Sequence, residues 1–191
     1  MSLCHLFKMR TFNHESYPVK VIFGNNTLIK IVDEVKRLKS SHVLLLSTPF
    51  QEDLAQRVSQ LLKESESPVK ITLYSKAVMH TPIEVTQDAM KNMDDVDCII
   101  AVGGGSTTGL SKAITLQKAG GMHQIIVPTT YAGSEATPVV GQTQDQKKTT
   151  TRDMKILPGT IIYDVSLTLT LPPLMTCTSG LNAIAHSVEA L

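Results

Sequence analysis

Short apolar runs rich in β-branched residues recur at 19–23, 42–47, 69–74, 97–102, 124–128 and 160–163. Several are continuous rather than alternating, which is the pattern of strands buried on both faces. Helical patterns lie between them. Residues 26–39 place Leu28, Ile31, Val32, Val35 and Leu38 at helical spacing, with Asp33, Glu34, Lys36 and Arg37 on the other side. Residues 50–64 repeat the pattern with Leu54, Ala55, Val58, Leu61 and Leu62. In Thr81-Pro82-Ile83-Glu84, a Thr, a Pro and an acid three residues after the Thr predict a helix start with Thr81 as its N-cap. Strands alternating with helices predict a parallel α/β sheet, because parallel neighbours need crossover connections.

Two regions break this rhythm. Residues 142–152 are polar, rich in Thr and Lys and poor in core residues. They read as an excursion, either a β-hairpin returning at 160–163 or a plain long loop. After Leu171-Pro172-Pro173 a helix is predicted from Ser179 to Leu191, with Leu181, Ile184, Ala185, Val188 and Leu191 on one face. No later element covers that stripe. The expected division is an α/β dinucleotide-binding domain over 1–170 and the first helix of an incomplete helical domain over 171–191.

Composition narrows the class. The 191 residues carry a net charge of +1, 4% aromatics and no Trp, so no nucleic-acid footprint or stacking platform is indicated. Cys4, Cys98 and Cys177 are odd in number and widely spaced, without a CxxC pair, which predicts neither a disulfide frame nor a zinc knuckle. A reduced, cytoplasmic setting fits them. The first ten residues lack a long apolar stretch, and no apolar run reaches membrane length.

The run at 97–102 ends in Gly103-Gly104-Gly105, and Ser106-Thr107-Thr108 then opens a helical pattern over 110–117. This is strand, glycine turn, helix N-terminus. The first helical N–H groups have no internal partner and the helix dipole is positive there, so the turn suits an anion. Glycines let the backbone approach a phosphate with no Cβ in the way. A tight turn that binds nothing is the other reading. The pattern is not G-x-G-x-x-G, because Thr108 stands at its last position, and no Asp or Glu occurs between Gly103 and Ser134 to hold a ribose.

A second loop, Pro128-Thr129-Thr130-Tyr131-Ala132-Gly133-Ser134-Glu135, follows the next strand and offers hydroxyls and one acid. Ligands bind at that end of open α/β sheets, so the two loops are expected to line one crevice. Singly, each hydroxyl reads as local turn-making. Asn182 and His186, four apart, share a helix face. Asn is a poorer ligand than a carboxylate for a hard divalent cation, and a closed site needs more ligands, so the pair is at most a piece of a metal site.

Together, Gly-Gly-Gly-Ser-Thr-Thr-Gly-Leu at 103–110, Pro-Thr-Thr-Tyr-Ala-Gly-Ser-Glu at 128–135, Ile-Tyr-Asp at 162–164, Leu-Pro-Pro at 171–173 and Ser-Gly-Leu-Asn-Ala-Ile-Ala-His-Ser-Val-Glu-Ala at 179–190 resemble the iron-containing alcohol dehydrogenase family, and most nearly its maleylacetate reductase branch. The resemblance implies an α/β, dehydroquinate synthase-like fold: a parallel nucleotide-binding sheet with flanking helices, followed by the start of a truncated all-helical domain. It implies that Gly103, Gly104, Gly105 and Ser106 hold the pyrophosphate of NADH or NADPH, and that Thr129, Thr130 and Ser134 approach nucleotide or substrate. The implied reaction is hydride transfer to the carbon–carbon double bond of maleylacetate, a small carboxylate, giving 3-oxoadipate. The implied assembly is a homodimer, with no nucleic acid or membrane partner.

The chain departs from the family pattern in three places. Ser47-Thr48-Pro49 stands where the wider family has an acid for the adenine ribose, which admits NADPH beside NADH. Asn182 stands where metal-dependent members have Asp, so iron or zinc is not expected; Asn182 and His186 occupy the metal-ligand positions, and His186 reads as the catalytic partner of a substrate carboxylate or enolate. The chain is also shorter than its relatives. The expectation is thus an oxidoreductase, against an inactive nucleotide-binding remnant or a dehydroquinate-synthase-like lyase.

Overall fold

The computed structural model describes residues 15–91, 93–120, 122–145 and 147–189. Cys4 and the first ten residues lie outside them, as do Ala190 and Leu191. The chain runs β1 (Lys20–Gly24), α1 (Ile31–Arg37), β2 (His42–Leu46), α2 (Glu52–Lys63), β3 (Lys70–Tyr74), α3 (Ile83–Met90), β4 (Cys98–Gly103), α4 (Gly105–Gln117), β5 (His123–Pro128), β6 (Val139–Gln144), β7 (Lys147–Arg152), β8 (Thr160–Asp164) and α5 (Pro173–Glu189). All six apolar runs become strands of one parallel sheet, in the order β1-β8-β5-β4-β2-β3.

The central strands are buried on both faces, and alternate residues go to opposite sides. Val43 and Leu45 of β2, Cys98, Ile100 and Val102 of β4, and Ile125 and Val127 of β5 pack with Val35 of α1 and Ala55, Val58 and Leu62 of α2. Leu44, Leu46, Ile99, Ala101 and Ile126 pack the other way, with Ala89 of α3 and Leu110 and Ile114 of α4. Each such Val, Leu or Ile contributes about 1.5–3 kcal/mol by leaving water.

This layering creates the crevice. From β2 the chain leaves through α2, on one face, to β3 on one side; from β4 it leaves through α4, on the other face, to β5 on the other side. β2 and β4 are nonetheless adjacent, with Val43 opposite Cys98 and Leu46 opposite Ala101. Their C-terminal ends therefore flank a topological switch point, where diverging helices leave a gap for a ligand.

Four local expectations are refined. Thr81 is not an N-cap: its φ is +44°, Pro82 takes the cap position, and no side chain caps α3. The Thr81 side chain instead lies against the Cα of Gly109, where a Cβ would collide with its hydroxyl, and its carbonyl accepts from the Thr143 N–H. Helix α4 starts at Gly105, inside the glycine run, with Gly104 as its N-cap. The polar excursion is a hairpin of its own, β6 paired antiparallel with β7, seated on α4 through Val140, Ala113 and Ile156. Helix α5 starts at Pro173, six residues before Ser179, because proline suits the first helical turn. No helix among the described residues is long and apolar enough to cross a membrane.

Candidate functional site

The parallel register β4–β5 sets Gly103 opposite Pro128, so the glycine turn and the second loop leave the sheet side by side. The Thr129 N–H continues the ladder to the Gly103 carbonyl at 2.9 Å. Gly103 has φ +144°, and a Cβ there would lie 2.5 Å from Gln51 Oε1 and 2.8 Å from Thr107 Oγ1. At Gly104 a Cβ would meet Thr130 Cγ2 and Oγ1, both at 3.0 Å. Gly105 differs: it is exposed, and the nearest atom to a Cβ would be Ala132 Cβ at 3.8 Å. Packing requires the first glycine and constrains the second, whereas at the third, exposed on the cleft, a Cβ would meet only an ordinary contact.

The hydroxyl cluster divides likewise. Thr107 and Thr108 are buried and turn their hydroxyls back to the Gly104 carbonyl, at 3.0 and 3.2 Å. Ser106 faces outward with Gly104 and Gly105 into a cleft of about 1110 Å³. Thr129 and Thr130 line the same cleft, and so do Thr48, Phe50 and Arg57 from the β2 side. Its far wall is formed by Ser166 and Leu167, after β8, and by Pro172 and Met175 at the start of α5. Five of the expected nucleotide residues thus share one cleft, with Gly103 buried beneath it.

Ser134 lies apart from the cleft lining. Its hydroxyl is buried without a hydrogen-bond partner among the described residues, and its carbonyl accepts from Lys112 Nζ. Asn182 and His186 are exposed on α5 and outside the cleft lining; His186 Nδ1 is 3.4 Å from Glu189 Oε2. Among the described residues no group of three or more His, Cys, Asp or Glu is placed to hold a metal ion. One neutral amide and one imidazole do not fit a divalent cation by themselves. The glycine turn does fit a nucleotide phosphate: Gly104 and Gly105 line the cleft at the start of α4 without side chains, and the first N–H groups of a helix have no internal acceptor.

Sequence reasoning missed the supports of this site. Gln51 Nε2 donates to Thr129 Oγ1 at 2.6 Å, and Thr48 Oγ1 donates to Gln51 Oε1 at 3.3 Å, which ties the β2 loop to the β5 loop. Lys112 of α4 is 1% exposed and donates to the carbonyls of Ser134, Thr137 and Val139. Burial lowers its ammonium to about 8, opposed by the nearby Glu135 carboxylate. Glu135, also buried, accepts from the Tyr163 hydroxyl at 2.9 Å; burial first and Glu135 second push that phenol well above its usual range. Asp164, the last residue of β8, accepts from the N–H groups of Asn26, Leu28 and Ser166 and from the Ser166 hydroxyl. Burial raises its carboxyl, but these bonds outweigh burial and hold it below the ordinary value. In sequence, Gln51 and Lys112 carried no signal beyond helical spacing, because their partners come from other strands.

An open parallel α/β sheet with a glycine turn at its switch point defines a nucleotide-binding class of protein. The iron-containing alcohol dehydrogenase family model matches residues 18–165, and the chain belongs to that family. It is 45% identical over 185 residues to the maleylacetate reductase of Rhizobium sp. (strain MTP-10005), covering 96% of this chain and 51% of the relative. It is 47% identical over 177 residues to maleylacetate reductase 2 of Cupriavidus pinatubonensis, covering 92% and 48%. The crystal structure of maleylacetate reductase from Agrobacterium tumefaciens superposes with a TM-score of 0.87 at 43% identity, over 95% of this chain and 51% of that one. The chain spans about half the length of the curated relatives it matches.

Proposed function

We propose that this chain is the nucleotide-binding part of an NAD(P)H-dependent oxidoreductase of the maleylacetate reductase type. The glycine turn carries this reading: its third glycine lies exposed on the cleft at a helix N-terminus, in a chain 45% identical to a maleylacetate reductase over 96% of its length. In this reading residues 1–170 are the nucleotide domain and α5 belongs to a helical one. The backbone N–H groups at Gly105 and Ser106 bind the pyrophosphate, while Thr129 and Thr130 orient the nicotinamide half. Ser134 acts through the loop it shares with them. A reduced nicotinamide held there would supply the hydride for the double bond of maleylacetate, which with one proton would give 3-oxoadipate. The enolate that forms needs a donor. His186 supplies that donor or holds a substrate carboxylate. The proposed assembly is a homodimer and the proposed location the cytoplasm.

A second reading, nucleotide binding without turnover, is favoured by one observation: His186 and Asn182 stand exposed and outside the cleft lining. Titration of the full chain with NADH and NADPH, followed by fluorescence, with maleylacetate consumption assayed in parallel, separates the two. Binding with turnover supports the enzyme; binding alone leaves the second reading. Absence of binding by a chain that is folded by circular dichroism rejects both.

A further inference from the structure

We propose that Arg57 binds the 2′-phosphate of an adenine dinucleotide, so that the chain takes NADPH in preference to NADH; the inference rests on the nucleotide reading of the cleft. The glycine turn at the tip of β4 is the place for the pyrophosphate. The cleft continues from there to the tip of β2 and the adjoining face of α2. In open α/β sheets the adenine ribose lies over that neighbouring strand, where a carboxylate takes its hydroxyls or an arginine takes a 2′-phosphate. The tip here is Ser47-Thr48-Pro49, without a carboxylate.

Leu54 and Arg57 of α2, three residues apart, share one face of the helix; Phe50 stands in the short turn just before it, and all three line the cleft. Phe50, in the turn that leads into α2, is 97% exposed. An aromatic face left bare at the β2 end of the cleft is a stacking surface for a base. Arg57 also stands unpaired. Arg37 pairs with Glu34, and Arg152 donates to the Tyr17 hydroxyl, but among the described residues Arg57 has no hydrogen-bond or ion-pair partner. A guanidinium presents a planar fork of donors that matches a phosphate in two bonds.

Asp53 lies one turn back on the same face and also lines the cleft. It is in the first turn of α2, where the positive end of the helix dipole favours a carboxylate. It is the competing group, since a free carboxylate would hold the ribose diol of NADH instead.

The test is equilibrium binding to the full chain, with NADPH, NADH, 2′,5′-ADP and 5′-AMP as probes. The expected result is that NADPH and 2′,5′-ADP bind more tightly than NADH and 5′-AMP by about tenfold or more, with the gap narrowing as salt rises. Arg57→Ala, checked for fold by circular dichroism, should close that gap by weakening only the two 2′-phosphorylated probes. Arg57→Lys should restore part of it. Equal weakening of all four probes would make Arg57 structural and overturn the inference. So would NADH binding that is tighter than NADPH binding and lost in Asp53→Asn, although the nucleotide reading would stand. Absence of binding by any probe would overturn both.

Discussion

The three glycines of the turn are not equivalent, and single substitutions should separate them. Gly103→Ala places a methyl between Gln51 and Thr107 at φ +144°. We expect it to cost about 2–4 kcal/mol in urea unfolding, from backbone strain plus a contact that must shift. Gly105→Ala meets only Ala132 at ordinary contact distance, and alanine is the better helix former. Its stability should stay level or rise by up to about 1 kcal/mol, while NADH or NADPH binding weakens because the methyl occupies the phosphate's side of the turn. Wild-type affinity in Gly105→Ala would remove the phosphate from that turn. At this scale much was legible: a glycine run between a strand and a helix has few physical meanings. Gln51 was not legible. Its amide acts on Thr129, 78 residues away, and no local pattern encodes that distance.

Among the elements, α4 holds the site together from beneath. Its first turn faces the cleft, and one turn later Lys112 reaches the loop after β5 and the start of β6. Lys112→Met keeps the volume and removes every donor, leaving buried carbonyls unpaired at roughly 1–3 kcal/mol each before relaxation. We expect a loss of about 2–4 kcal/mol and faster amide exchange over 134–140, with the β4–β5 ladder still protected; unchanged exchange there would show that the loop is held by other contacts. Elements were read well where burial was two-sided, since continuous apolar runs of strand length have no other use in a short segment. They were read less well where tertiary contacts overrode local chemistry. Thr81-Pro82-Ile83-Glu84 has the composition of a capped helix start, yet Thr81 serves the packing against Gly109. Residues 142–152 lack core residues because the hairpin they join buries little beyond Val140.

For the molecule as a whole, three carboxylates fasten segments that are far apart in sequence. Asp164 joins the end of β8 to the turn after β1, Asp97 joins Ser40 and Ser41 to the start of β4, and Glu34 joins α1 to Lys20 and Thr160. No sequence pattern announces that β1 should lie beside β8, and these polar ties and the sheet register do what local propensity cannot. In all three, burial acts to raise the pKa and is outweighed, at Asp164 and Asp97 by hydrogen bonds and at Glu34 by bonds and charge from Lys20 and Arg37, so each titrates below its ordinary value. The folded state therefore holds its protons less tightly than the unfolded chain. The stability these groups give is fully present above the unfolded pKa values near about 4 and is lost as pH falls through the lower folded values. Urea unfolding should be nearly flat from about pH 7 to 5 and weaken steeply below about pH 4. Asp164→Asn should reduce both the plateau and the slope. Its amide turns an N–H₂ toward N–H groups that now meet oxygen, which costs about 1–3 kcal/mol at neutral pH, and it removes one titrating group from the acid limb. Because Asp164 also fixes Ser166 at the cleft wall, the same variant should bind nucleotide more weakly at pH 7. An acid limb unchanged in Asp164→Asn would mean that the acid sensitivity resides in Asp97 and Glu34, and that Asp164 adds no charge-dependent tie to the β1–β8 edge.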